Sequence, residues 1–372
     1  MSGPLAGLRI LEVGHILAGP YAGMLLADLG ADVIKVESAD GDLSRQVSSH
    51  AIDGHSTYFA SVNRNKRSVH IDLTTERGQE QLGALVAASH AVIVNLRPSG
   101  IRKLGLDYAS LSRWNPEIVC VAVTGYGLDG PGADWTAFDF IVQATSGVAA
   151  ITGEPDGPPA LAGYPAVDNS TGIMAALGLL AKVIEGKGGQ VDVSMFEVML
   201  SQLNYRAAAY LNTGALPTRN PMGAHSFYVP AQIFATADGH LALFVTHDQM
   251  WRRLCEGMAE PGWAADDRFA TMDARVAHRD DVITMLTERF ATRTTDEWID
   301  ALRPLGVPVG PVQDIGQALD SDVARARGTV VEIDTPAGPM RLVGNPIRTD
   351  SPPVTHRPPP RLHEHTRALL DR

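Results

Sequence analysis

Residues 8–37 read LRILEVGHILAGPYAGMLLADLGADVIKVE, and this stretch decides the fold. Leu8 to Glu12 is an apolar run of strand length. Tyr21 to Leu29 carries helical apolar spacing and is closed by Gly30, and Asp32 to Glu37 is a second strand-like run. Two such strands with a helix between them form the unit of a parallel sheet, because a parallel partner is reached only by a crossover. Outward from this unit the signal repeats. Ser68 to Leu73 and Ala91 to Asn95 flank a helix from Glu76 to Ala88, and Ile118 to Thr124 follows another short helix. The alternation predicts an open α/β fold with helices on both faces of a mostly parallel sheet, in which ligands sit beyond the carboxyl ends of strands. Gly14–Pro20, Asn95–Gly100 and Gly125–Gly132 lie just past those ends, so a site is expected there.

A chain of 372 residues is too long for one ordinary core, and a second, smaller domain is expected. A long helix begins near Asp168, with Ile173, Leu177, Leu180 and Ile184 at helical spacing. It is followed by a strand, Val191 to Ser194, and a helix ending near Leu211. Residues 212–223 are polar and contain proline, which marks a linker. Beyond it Ala231–Thr236 and His240–Val245 flank Asp238-Gly239, a hairpin signal. Three helices are expected next, the last opened by Thr294 and Glu297 at capping-box spacing. Strand signals return at Val330, ahead of a proline-rich tail. The expected organisation is a large domain over 1–211, a linker over 212–223, a small α+β domain over 224–318, and a return segment, 319–372, completing the large domain.

Several function classes fall away on composition. The formal net charge of -11 opposes general affinity for nucleic acid or anionic membrane surfaces. Anionic ligands must then be met locally, and the candidate basic runs are Arg64, Lys66 and Arg67, and Arg97, Arg102 and Lys103. The apolar stretch Ile173–Ile184 is broken by Gly178 and Lys182 and reads as too short for a membrane span. Met1–Ala6 carries no basic cluster ahead of an apolar run, so a cytoplasmic location is expected. Cys120 and Cys255 fall in strand-like and helix-like runs and suggest buried thiols, with neither a disulfide framework nor a metal site. Gly14, Gly19 and Gly23 do not give the G-x-G-x-x-G spacing of a dinucleotide loop, and no P-loop sequence is present.

Asp168 stands at the start of its helix and is a capping candidate, a role worth about 1 kcal/mol. A chemical role uses the same position. The amino end of a helix favours an ionised carboxylate, and a carboxylate can attack a thioester carbonyl to give a mixed anhydride, which a thiolate can reopen.

The ordered motifs decide between these roles. Residues 4–12 (PLAGLRILE), Ala18-Gly19-Pro20, residues 29–37 (LGADVIKVE), residues 63–68 (NRNKRS), Thr124-Gly125-Tyr126-Gly127, residues 152–159 (TGEPDGPP), Thr236–Gly239, Gly306-Val307-Pro308 and His363-Glu364-His365-Thr366 follow one another along nearly the whole chain. This series resembles the family III CoA-transferases, the CaiB/BaiF group of formyl-CoA and carnitine CoA-transferases and 2-methylacyl-CoA racemase. The family ends on G-E-H-T, where this chain has His363 in place of the glycine. The resemblance implies a Rossmann-like large domain built from both chain ends, a smaller domain, and an interlocked homodimer with an active site between one chain's large domain and the other's small domain. It implies transfer of coenzyme A from an acyl-CoA donor to a carboxylic acid acceptor through aspartyl anhydride and aspartyl-CoA intermediates, with Asp168 as nucleophile. The family's CoA-contacting loops fall on Ile16, Leu17 and Ala18, on Ile71 and Thr74, and on Asn95, Leu96, Arg97 and Lys103. Coenzyme A enters as a substrate, and no metal or permanently bound cofactor is implied.

Two relatives in the family mark the alternatives. The racemase branch has a His-Asp pair where this chain has Phe138-Asp139. Phenylalanine exchanges no proton, so the substitution moves the reading toward transfer and leaves Asp139 as a supporting carboxylate or a helix-start cap. Formyl-CoA transferase has a lysine where Thr136 stands, which speaks against an oxalate-type acceptor, and its four-glycine lid has no counterpart here. An acyl-CoA racemase or isomerase, and a CoA-binding protein without catalysis, stay as rivals at this level.

Overall fold

The computed structural model describes residues 2–48 and 50–371. Six strands form its large sheet: β1 (Arg9–Val13), β2 (Asp32–Glu37), β3 (Arg67–His70), β4 (Ala91–Val94), β5 (Val119–Thr124) and β6 (Gly189–Ser194). They lie in the order β3-β2-β1-β4-β5-β6, every neighbouring pair parallel. Both faces of β1, β2, β4 and β5 are covered, and these strands are buried along almost their whole length, whereas the edge strand β6 alternates, with Gln190 and Asp192 exposed. On one face Ile10, Val33, Ile93 and Val121 pack beneath α1 (Ala18–Asp28) and a long helix, Ala166–Glu185. On the other Leu11, Ile34, Val92 and Cys120 pack beneath α2 (Glu76–Ala87) and α3 (Pro98–Leu104). The strand order reverses between β1 and β4, and that switch opens a crevice beyond their carboxyl ends.

Further along run α4 (Asp139–Thr145), α5 (Ala166–Glu185), α6 (Met195–Gln202) and α7 (Asn204–Thr213). The single helix expected up to Leu211 is two, because Asn204 adopts a left-handed φ of 48°. Helix α5 corrects one expectation, that its apolar stretch is too short for a membrane span. Its buried face is made of small residues, Thr171, Gly172, Ala175 and Ala176 with Leu179, whereas Ile173, Met174, Leu177 and Ile184 point outward. The small face is what lets α1 approach: a Cβ on Gly172 would lie 2.7 Å from the Ala18 carbonyl oxygen. Gly178 and Lys182 do not interrupt the helix. Its 20 residues are long and apolar enough to cross a membrane by length and composition, a test that core helices also pass.

The chain divides into two compact units. The sheet just described belongs to a unit comprising Met1–Val148, Leu161–Gly214 and Asp322–Arg372; the other comprises Ala149–Ala160 and Ala215–Ser321. The first unit also holds the hairpin Val330–Ile333 with Met340–Val343, packed on Ile52 and Ala60, and the tail, where Asn65 N–H donates to Arg357 O and His365 N–H to Ser68 O. In the second unit β7 (Ala231–Ala235), β8 (His240–Phe244) and β9 (Val309–Pro311) form an antiparallel sheet in the order β9-β8-β7. It packs on Trp251, Phe290 and Trp298. Five helices lie between β8 and β9 where three were expected, since Pro261–Ala265 and Met272–Ala277 are too short to show a periodic face. The Thr294–Glu297 capping box is formed.

Candidate active site

Beyond β1 the chain passes through Gly14, His15 and Ile16 before α1 begins, and a side chain from elsewhere holds each of these residues by its backbone. Lys35 Nζ donates to Gly14 O (2.9 Å). Asn95 Oδ1 accepts from His15 N–H (2.8 Å), and Asn95 Nδ2 donates to His15 O (2.7 Å). Asp42 Oδ1 accepts from Ile16 N–H (3.0 Å), while its other oxygen lies 2.7 Å from Lys35 Nζ. Ile16 has φ 68°, a left-handed conformation rare for a β-branched residue. Burial opposes the charge on both Lys35 and Asp42, yet Glu12 and then Asp42 hold the lysine well above its ordinary range, and Lys35 holds the aspartate well below its own.

A cavity of about 380 Å³ opens at this loop. Ile16, Leu17 and Ala18 line it from the β1 side, Asn95, Leu96 and Arg97 from the β4 side, and Phe138 and Asp168 from beyond β5. Ile71, Thr74 and Lys103 do not line it. Ile71 is only 2% exposed, and the Thr74 side chain and N–H both bond to Asp72. His15, Leu43 and Trp135, which the sequence did not single out, also line the cavity. Buried His15 Nδ1 has no hydrogen-bond partner, and burial pulls the ring below the ordinary histidine range. A crevice of about 420 Å³ around His90, Glu117 and Lys182 lies at the amino ends of β4 and β5, away from the switch.

Asp168 sits in the first turn of α5, half-buried, and caps nothing; the residue before the helix, Pro165, offers no side-chain cap either. The cap comes from α4: Asp139 Oδ2 accepts from Val167 N–H (2.8 Å) and Asp168 N–H (3.2 Å), and its Oδ1 accepts from Gln143 Nε2 (2.5 Å). Asp139 therefore caps the neighbouring helix rather than its own. Its role frees the Asp168 carboxylate for the cavity. Burial, and then the Asp139 charge, push Asp168 up to about 7. This reverses the expectation of a fully ionised group, because desolvation outweighs the helix dipole. Tyr58 is pushed up to about 12 by burial and by the charges of Asp168, Asp42 and Asp139.

The sequence pattern of CoA-transferase family III matches residues 5–366. The chain belongs to CoA-transferase family III. It is 37% identical to the succinate–glutarate CoA-transferase of Agrobacterium fabrum, over 99% of this chain and 95% of that one. It is 33% identical to the succinyl-CoA:glutarate CoA-transferase of Mus musculus, over 99% of this chain and 86% of that one. The crystal structure of a CAIB/BAIF family protein from Brucella suis superposes with a TM-score of 0.88 at 35% identity, covering 99% of both chains. The protein is thus an enzyme that transfers coenzyme A between an acyl-CoA and an acid.

Within this CoA-transferase, the first candidate basic run is neither an anion site nor a solvated surface. Arg64 pairs with Asp28, Lys66 with Glu12, and Arg67 with Asp32, and the Arg64 and Lys66 side chains are fully buried. Burial pulls Lys66 down to about 8 despite Glu12. Of the second run, Arg97 reaches the cavity and Arg102 faces Asp134 at 3.5 Å on the surface. The family's terminal glycine also finds its reason: His363 sits at φ 60°. Its ring bonds Ser38 O (2.8 Å) and lies tilted against the His70 ring, with centroids 4.6 Å apart. Both cysteines are free and buried, and burial pushes each up to about 12.

Proposed function

We propose that the enzyme moves coenzyme A between small dicarboxylic acids, with succinyl-CoA as donor, a dicarboxylate of four or five carbons as acceptor, and Asp168 as nucleophile. One observation carries the reading: among the described residues the Asp168 carboxyl has no hydrogen-bond or ion-pair partner, yet it lines a cavity at the switch of the sheet. A half-buried carboxylate without a partner costs stability, and such groups mark chemistry. The named activities of the relatives supply the acid class.

In this mechanism an Asp168 oxygen attacks the thioester carbonyl carbon, and the C–S bond breaks to release CoA thiolate. The thiolate attacks the Asp168 carboxyl carbon of the mixed anhydride, freeing the donor carboxylate and leaving an aspartyl-CoA thioester. The acceptor carboxylate attacks that thioester and expels thiolate again. The thiolate then takes the acceptor's acyl carbon, which completes the new acyl-CoA and restores Asp168. A pKa near 7 suits both halves, since the carboxylate is basic enough to attack and still substantially ionised. Ile16, Leu17, Ala18, Leu96 and Arg97 seat the CoA end nearest the thioester, with the Asn95 side chain committed to the loop. Thr74 and Lys103, exposed and outside the cavity, serve the distal, phosphate-bearing end, whereas Ile71 is core. Phe138, 61% exposed beside Asp168, walls the acyl group and exchanges no proton.

Incubation with succinyl-CoA followed by hydroxylamine tests this. A hydroxamate on the Asp168 peptide is expected, and an unmodified peptide from turning-over enzyme refutes it. The reading includes a homodimer, supported by the outward apolar face of α5, and a cytoplasmic location that rests on the sequence alone.

A further inference from the structure

The loop between β1 and α1 is held more firmly than a connection requires. Three consecutive residues are fixed by three buried or half-buried side chains from two other strand ends, and the third, Ile16, is held where a β-branched residue does not rest unaided. Backbone strain of this kind persists only where the surroundings over-determine it, and it gathers at segments that meet ligands. The Asp42 side chain is fully buried: one oxygen takes Ile16 N–H together with Ser44, and the other meets Lys35, whose ammonium also holds Glu12 and Gly14.

We propose that Asp42, backed by Lys35, is a positioning residue that presets Ile16 in its left-handed conformation, so that residues 16–18 stand as a finished wall for the CoA ester before it arrives. The inference rests on the reading that this cavity takes acyl-CoA. Asp42 touches neither the thioester nor Asp168. A wall formed in advance spares the ester the ordering of the loop, so its loss is felt in binding of the CoA compound and not in chemistry at Asp168.

The experiment compares the full chain with Asp42→Asn, Ile16→Gly and the double variant, measuring CoA binding by calorimetry and steady-state kinetics. Asp42→Asn is expected to weaken CoA binding and raise the acyl-CoA KM about tenfold, leaving kcat and the acceptor KM within about twofold. In the Ile16→Gly background the same change is expected to matter about twofold or less, because glycine adopts that φ without help. Equal losses in both backgrounds overturn the proposal, as does a drop in kcat with KM unchanged.

Should Asp42→Asn not fold, hydrogen exchange of the unaltered enzyme decides. Slow exchange at residues 14–17 without CoA supports the preset wall, and fast exchange that slows only with CoA overturns it. Leu96→Trp, which fills the cavity from the β4 side, separates the two readings. Weakened CoA binding by this variant with normal binding by Asp42→Asn overturns the wall alone. Unchanged binding by Leu96→Trp overturns the cavity reading and the wall with it.

Discussion

Asp168 is a carboxyl group whose surroundings work against its charge. Burial and Asp139 push it up to about 7, so the attacking form grows as pH rises and the acid side of the activity profile should bend near that value. Asn at position 139 keeps an oxygen for the Val167 and Asp168 amides but removes the like charge. Asp139→Asn should therefore shift the bend of kcat/KM about one pH unit lower, read from a pH–rate profile. The same environment sets a stability cost. In the unfolded chain Asp168 titrates near ~4, so between ~4 and 7 the folded state keeps a proton that the unfolded state loses, and stability falls as pH rises through that window. Allowing for partial exposure, Asp168→Asn should stabilise the protein by about 2 kcal/mol at pH ~8 and by nearly nothing at pH ~3, below the unfolded-state pKa, measured by denaturant unfolding. Equal gains at both pH values would show that the side chain's charge is not the cause.

At the scale of elements, α5 ties the site to the core. Its small-residue face brings α1 close enough that a Cβ on Gly172 meets Ala18 O, and Ala18 lines the cavity. Gly172→Ala should force the two helices apart, costing about 1–3 kcal/mol. It should also weaken CoA binding measurably by calorimetry, whereas Leu180→Ala on the same helix should affect stability alone. The central strands of this sheet were legible from the sequence because β1, β4 and β5 are mainly apolar runs, and Asp32–Glu37 was read to the residue. The faces of α5 were not, since periodicity finds a stripe without saying whether Ile173 and Leu177 or Gly172 and Ala176 point inward. Nor was the cap. Asp139 reaches the amides of Val167 and Asp168 from 28 and 29 positions away, a pairing that no local pattern encodes. The run of Arg64 to Arg67 was read as anion contacts or surface for the same reason. Its partners, Asp28, Glu12 and Asp32, are distant in the chain and near only after folding.

For the whole molecule the outward face of α5 carries the argument. Ile173, Met174, Leu177 and Ile184 are each more than two-fifths exposed, and Trp135, Phe138, Phe140 and Ile141 in the same unit are exposed as well. Single exposed apolar residues are ordinary, but a helix that turns its largest apolar side chains outward and its smallest inward is arranged for a partner. The proposed homodimer would cover this face, because a two-fold axis lets the same patch serve both sides. Light scattering should give twice the 39.7 kDa of one chain, and Leu177→Asp should bring the mass down to that of a single chain. The charge would sit on an exposed position of the separate chain, so its far-ultraviolet spectrum should match the unaltered protein. A dimer that survives Leu177→Asp places the contact elsewhere, and a single-chain mass for the unaltered protein removes the dimer altogether.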